Sequence, residues 1–152
     1  MKKVLIMAAI IVAGVAANAA SFRWSGVNVY GAGGTSKYTG TATLYAVIGG
    51  SATEVSTAAV NAGAITATTF SNDSLVGGNV YDFYFVITDG GKSFSSAHVS
   101  ATAQATSTST IAFANQGPAT QNASNWQVVP EPTSGLMLLL GVAGLALKRK
   151  RE

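Results

Sequence analysis

The sequence predicts an all-β fold: a small β-sandwich-like domain set between an N-terminal signal peptide and a C-terminal transmembrane helix. The middle of the chain is rich in Ser, Thr, Ala and Gly, and its aromatic and β-branched residues fall in short alternating runs. Glycine pairs at Gly33-Gly34, Gly49-Gly50 and Gly90-Gly91 separate those runs. An apolar run lies near each end, at 4–15 and 135–147. The chain therefore divides into a signal peptide (1–19), a β-rich domain (20–114), a polar stalk (115–129) and a tail (130–152), with a helix at about 134–147 and a basic stop at 148–151.

At the N-terminus, Met1-Lys2-Lys3 is a positive n-region and Val4 to Val15 an apolar h-region. Ala17-Asn18-Ala19 has the small-x-small form that signal peptidase cuts, so Ala17 and Ala19 mark the site and Ala20 or Ser21 begins the mature chain. The apolar run is too short for an anchor, and no cysteine follows to carry a lipid.

Phe22 to Tyr30 is expected to form the first strand, with Gly26 breaking the alternation begun by Phe22 and Trp24 and marking a bulge. Tyr38 to Ile48 places Ala42, Leu44, Ala46 and Ile48 on one face. Thr53 to Val60 and Ile65 to Phe70 are weaker strands around Asn61-Ala62-Gly63. The clearest pair is Val80 to Thr88, with Tyr81, Phe83, Phe85 and Ile87 on one side, and Phe94 to Ala105, with Ala97, Val99, Ala101 and Ala103 on one side and Ser96, His98, Ser100 and Thr102 on the other. Aromatics facing alanines fill a sandwich core without voids, so Tyr81, Phe83, Phe85 and Val99 are expected to be buried. Thr110 to Ala114 is the last strand. The polar segment from Asn115 to Gln127 reads as a flexible stalk, within which Trp126 either sits at the membrane interface or ends a strand.

In the tail, Pro130 and Pro132 flank Glu131, and each proline pushes its predecessor out of helical angles, so the segment is extended. Leu136 to Leu147 is apolar or glycine throughout, which excludes an amphipathic helix and requires an apolar surround. A run of about 13 residues makes roughly 20 Å of helix against about 30 Å of hydrocarbon, a mismatch that snorkelling lysine and arginine side chains can absorb. Gly135, Gly141 and Gly144 would each cost a water-soluble helix about 1 kcal/mol, which argues against a buried globular helix. Lys148, Arg149, Lys150 and Arg151 then stay on the cytoplasmic side.

Val129-Pro130-Glu131-Pro132-Thr133, an apolar helix with small residues, and Lys-Arg-Lys-Arg at the extreme end together resemble the PEP-CTERM sorting signal of Gram-negative bacteria. The resemblance covers about 24 of the 152 residues and says nothing of the rest. It implies an exosortase, an integral membrane cysteine protease, that recognises Pro130, Glu131 and Pro132, cleaves nearby and passes the cargo to the envelope or extracellular matrix.

The formal charge of +3 is misleading, because six of the cations lie in the two terminal signals. Between Ser21 and Val129 there are three cations (Arg23, Lys37, Lys92) and four acids (Glu54, Asp73, Asp82, Asp89), a net of −1. Nucleic-acid binding is excluded, since it needs clustered Lys and Arg. With no cysteine there is no disulfide framework, and with a single histidine, no zinc ligand set.

His98 with Ser96 and Ser100 does not make a catalytic set, because same-face neighbours on one strand point outward in parallel instead of converging. Gly91-Lys92-Ser93 resembles the end of a phosphate loop, but Val86 stands where the loop needs glycine and no helix follows. Asp73, Asp82 and Asp89 lack the spacing of a calcium loop. No catalytic residue, metal site or cofactor is expected.

Among Trp24, Tyr30, Tyr38, Tyr45 and Tyr84 a sugar-stacking platform is conceivable, although most of them are needed for core bulk. Asn72-Asp73-Ser74 and Asn122-Ala123-Ser124 match the glycosylation sequon.

The functional expectation is an exported, exosortase-processed, non-enzymatic protein of the cell surface or extracellular matrix, structural or adhesive. A carbohydrate-binding β-sandwich module is the alternative. Expected partners are exosortase, signal peptidase and the general secretion machinery, membrane lipid around the C-terminal helix and, for a matrix component, exopolysaccharide. The expected route is export through an inner-membrane-anchored intermediate to the envelope or the exterior.

Overall fold

The computed structural model describes residues 19–129. The signal-peptide run with Ala17, the Pro130-Glu131-Pro132 motif, the apolar helix and Lys148 to Arg151 lie outside the described residues. No helix among the described residues is long and apolar enough to cross a membrane.

Among the described residues nine strands form: β1 (Ala19–Gly26), β2 (Gly40–Ile48), β3 (Ser51–Asn61), β4 (Ala64–Val76), β5 (Val80–Asp89), β6 (Lys92–Ser95), β7 (Val99–Thr102), β8 (Thr108–Phe113) and β9 (Gln127–Val128). One helical turn, α1 (Gly117–Gln121), and a 3-10 turn at Ala123–Asn125 lie between β8 and β9. The all-β class is thus observed.

Alternation decides which side of each strand is buried. Phe22 and Trp24 of β1, Ala42, Leu44 and Ala46 of β2, Phe83, Phe85 and Ile87 of β5, and Ile111 and Phe113 of β8 all turn inward. Their intervening neighbours face outward, the pattern of a sheet with one wet face.

Two separate sheets are not formed. The strands make one continuous sheet in the order β8-β1-β4-β3-β2-β5-β6-β9, with β7 paired to β5 beside β6. The two halves of a sandwich nonetheless arise from it. β3 and β4 pair only at the hairpin, Val60 with Ile65 and Asn61 with Ala64. Beyond that point β1, β4 and β8 cover the remaining strands, so that Phe22 meets Phe83 at a ring distance of 5.0 Å and Phe113 meets Phe85 at 4.9 Å. The Trp24 indole crosses between the layers and donates to Ser56 Oγ at 3.1 Å. Edge-to-face and tilted ring pairs of this kind add about 0.5–1.5 kcal/mol each beyond the area they bury.

The hairpin turns follow from the glycine pairs. Gly49-Gly50 and Gly90-Gly91 all have positive φ, the backbone that a two-residue turn between right-twisted strands demands. At Asn61-Ala62-Gly63 the same turn uses an alanine, with φ +46 at Ala62.

Four sequence expectations need correction. The first strand ends at Gly26 instead of Tyr30, where the expected irregularity appears as a register shift between Trp24 and Gly26. Beyond it the chain leaves the ladder for a three-way network in which Tyr38 N donates to Val29 O, Val29 N to Gly63 O and Gly63 N to Tyr38 O.

Phe94 to Ala105 is two strands, not one. β6 pairs Val86 with Ser95 while β7 pairs Phe83 with Val99, so one extra residue is accommodated between them, as in a β-bulge. The bulge reverses the alternation. Phe94 and Ser96 are buried and Ala97 is exposed, after which Val99, Ala101 and Ala103 turn inward. Ser96 stabilises the break, since its Oγ accepts from Phe85 N at 3.0 Å and donates to Ala97 O at 3.0 Å.

Tyr81 and Val99 are half-buried at the margin of the core instead of fully buried. The Tyr81 hydroxyl accepts from Val76 N at 2.9 Å, which explains its position at the rim: a phenol serves both an apolar and a polar neighbour there.

The fourth correction concerns Asn115 to Gln127, which is docked on the domain and is not a flexible stalk. Thr120 is completely buried and Trp126 is 6% exposed, so this strap belongs to the fold.

Candidate functional site at the tail junction

The strap is built from short polar interactions that end in one large apolar anchor. Asn115 Oδ1 accepts from Gly117 N at 2.9 Å and Gln116 N donates to Val27 O at 3.1 Å, which starts α1 against the end of β1. Thr120 Oγ1 accepts from Tyr30 N at 3.2 Å and donates to Gln116 O at 2.7 Å. Asn122 Oδ1 accepts from Ser124 N at 3.1 Å, an Asx turn that opens the 3-10 segment. Trp126 then inserts with its ring 5.7 Å from Phe94, and its indole N–H donates to Thr120 O at 2.8 Å. A tryptophan with its N–H satisfied and its ring against a core phenylalanine is a buried anchor, so the membrane-interface reading of Trp126 is set aside.

The anchor delivers the chain to the sheet edge. In β9, Gln127 pairs with Ser93 and Val128 with Lys92, and Val129 N donates to Gly91 O at 3.0 Å. The next residue is Pro130. Val128 and Val129 are 75% and 39% exposed, adjacent aliphatic side chains at the sheet edge, while Val27 and Val80 are exposed singly elsewhere.

The sites weighed in the sequence fall elsewhere. Ser96 is buried and bonded to the backbone, Ser100 Oγ donates to the Asp82 carboxylate, and His98 stacks on Tyr84, so the three do not converge. Asp89 accepts from Ala32 N at 2.8 Å. Gly91-Lys92-Ser93 is the β5–β6 hairpin. Among the described residues no three His, Cys, Asp or Glu side chains come together. Both sequon asparagines are engaged in local turns, Asn72 Oδ1 accepting from Ser74 N at 2.9 Å as Asn122 does from Ser124.

Of the five aromatics considered as a platform, Trp24 is wholly buried. Tyr38 is bound through its hydroxyl to Thr88 O at 3.1 Å, and Tyr30 packs beside Gly117. Tyr45 and Tyr84 share the outer face of β2 and β5, where their rings stack 5.4 Å apart at 14°, and His98 extends the row at 4.8 Å and 15°. Glu54 is the register partner of Tyr45 on the other side. The sequence reading missed His98 as the third ring, because the bulge at Ser96 that brings it into line depends on β5. Near-parallel rings at these spacings overlap, so they cover one another's faces and leave mainly their rims and the outer imidazole face to solvent.

The described chain thus defines a β domain whose last strand runs directly into a processing segment. Residues 128–151 match the family described as the PEP-CTERM protein-sorting motif. No curated protein and no solved structure matches the chain. The tail carries a PEP-CTERM sorting signal, which indicates an exported protein addressed to exosortase.

Proposed function

We propose that this is a non-enzymatic component of the cell surface or extracellular matrix, structural or adhesive, held briefly in the inner membrane by its tail and then processed by exosortase. The observation that carries the reading is the match at residues 128–151. The A-x-A site at Ala17 to Ala19 supports export, and Lys148 to Arg151 support retention of the tail end inside during processing. Signal peptidase, the secretion machinery and membrane lipid are the partners this route implies, with exopolysaccharide at its end.

Replacing Pro130-Glu131-Pro132 by three alanines tests the reading through cell fractionation and intact-mass measurement. Full-length protein accumulating in the inner membrane is the expected result, because the helix and the four cations remain while the extended recognition segment is lost. Loss of the tail at the normal rate, with normal arrival at the surface, would overturn it.

A second reading, a carbohydrate-binding module, is favoured by one observation, the outer-face row of half-buried Tyr45 and Tyr84 and exposed His98. Its ring geometry restricts the contact to the rim of the row and the outer face of His98, a narrower site than a flat platform.

A further inference from the structure

We propose that the tail junction is a preformed edge strand, and that the processing protease recognises it by adding its own backbone to the free side of β9, with Trp126 as the positioning residue. This rests on the exosortase reading above and names the surface through which that enzyme would engage the folded domain.

Among the described residues the sheet ends at β9, so one side of the strand pairs with β6 and no described strand lies on the other. Ladder groups alternate sides along an antiparallel strand. Because Val129 N faces Gly91 O, the N–H and C=O of Val128 point to the free side. An edge of this kind is a template for another chain. Proteins commonly guard such edges with very short strands, charge, proline or bulges. β9 is short and Pro130 follows it, which confines an added strand to the few residues at the junction; within Gln127 to Val129 none is charged and two are exposed aliphatics.

The occupant is argued from continuity, since the matched sorting motif begins at Val128, inside β9 and upstream of the prolines. The recognised segment therefore starts on the folded domain. Docking Trp126 against Phe94 fixes the extended backbone of Gln127 to Val129 before any partner arrives, which removes the ordering cost a free stalk would impose on binding. The partner's chemistry follows: a cleft with a backbone edge for Val128 and an apolar subsite for its side chain.

The test uses the full-length precursor in cells that process it, following the ratio of full-length to tail-cleaved protein with time. Val128→Pro removes the outward N–H and leaves the bond from Val129 to Gly91 in place, as a proline on an edge strand can. Val128→Ile keeps both donor and apolar side chain. Trp126→Ala frees the strap without touching the donor. Processing should slow roughly fivefold for Val128→Pro, the effect of one lost backbone hydrogen bond, slow as well for Trp126→Ala, and stay normal for Val128→Ile. Normal processing of Val128→Pro, or faster processing of Trp126→Ala, would sink the inference. With the triple-alanine motif variant still blocked, only the edge-strand inference falls; with that variant also processed normally, the exosortase reading falls and takes the inference with it.

Discussion

Phe22 and Phe83 touch at a ring distance of 5.0 Å although three strands, β4, β3 and β2, separate β1 from β5 in the sheet. That contact is where the sheet closes on itself. Both rings are fully buried, and truncating a buried phenylalanine costs about 3–5 kcal/mol. A domain of this size has about 5–15 kcal/mol to lose. Phe83→Ala in a protein of residues 20–129 is therefore expected to lower the urea midpoint sharply or prevent folding, and an unchanged midpoint would contradict the packing described.

Ala62 offers a gain in stability. Its left-handed backbone, φ +46, costs an L-residue about 1–2 kcal/mol, and glycine removes that cost while adding about 0.4–1 kcal/mol of unfolded-state entropy. Ala62→Gly should stabilise the domain by up to about 1 kcal/mol. Thermal unfolding that shows a lower midpoint would count against the turn geometry.

Ser96 tests the bulge. Phe85 N has the Ser96 hydroxyl as its partner in the core, so Ser96→Ala leaves a buried donor without an acceptor, at about 1–3 kcal/mol. Denaturant unfolding should show that loss, while Ser95→Ala, at an exposed position, should be nearly neutral.

The second functional reading has its own check. A glycan array probed with residues 20–129, beside Tyr45→Ala and Tyr84→Ala forms, should show binding that both substitutions abolish if the aromatic row is a sugar site. Binding that survives both, or no binding by the parent, would dispose of that reading. Each variant is expected to remain folded, since a surface ring pair contributes about 0.5–1.5 kcal/mol.

N-terminal sequencing of the exported protein is expected to return Ala20 or Ser21. Ala19 opens β1 and Ala20 is 1% exposed, so either cut leaves Phe22 and Trp24 in the strand. A mature chain beginning at Met1 would refute signal cleavage, and one beginning beyond Trp24 would be incompatible with the core.

Periodicity made most of the sandwich legible. Val80 to Ile87 alternates without interruption, and Phe83, Phe85 and Ile87 are buried accordingly. Where legibility failed, the deciding partner was distant in sequence. The break after Ser95 is set by an N–H on β5, and no local pattern in Phe94 to Ala105 announces it. The strap failed for a different reason. Its polar composition argues for a flexible linker, yet one indole against Phe94 and a run of backbone-directed hydrogen bonds outweigh that composition. Alternation likewise placed Phe22 and Trp24 on one face without saying which face was inward, so Trp24 remained eligible as a surface platform until the fold buried it.

The neighbours of β1 set an order of events for a chain that emerges N-terminus first. β1 lies between β4, antiparallel, and β8, parallel, so the first strand to emerge waits for one of the last. Until Thr108 to Phe113 have followed it through, Ser21 to Gly26 have no partner on that side and the two layers cannot close. Loop closure over such separations is slow compared with local hairpin formation. During that interval β5–β6 and its neighbours are free to form early, as a half-built layer that the N-terminal strand later covers.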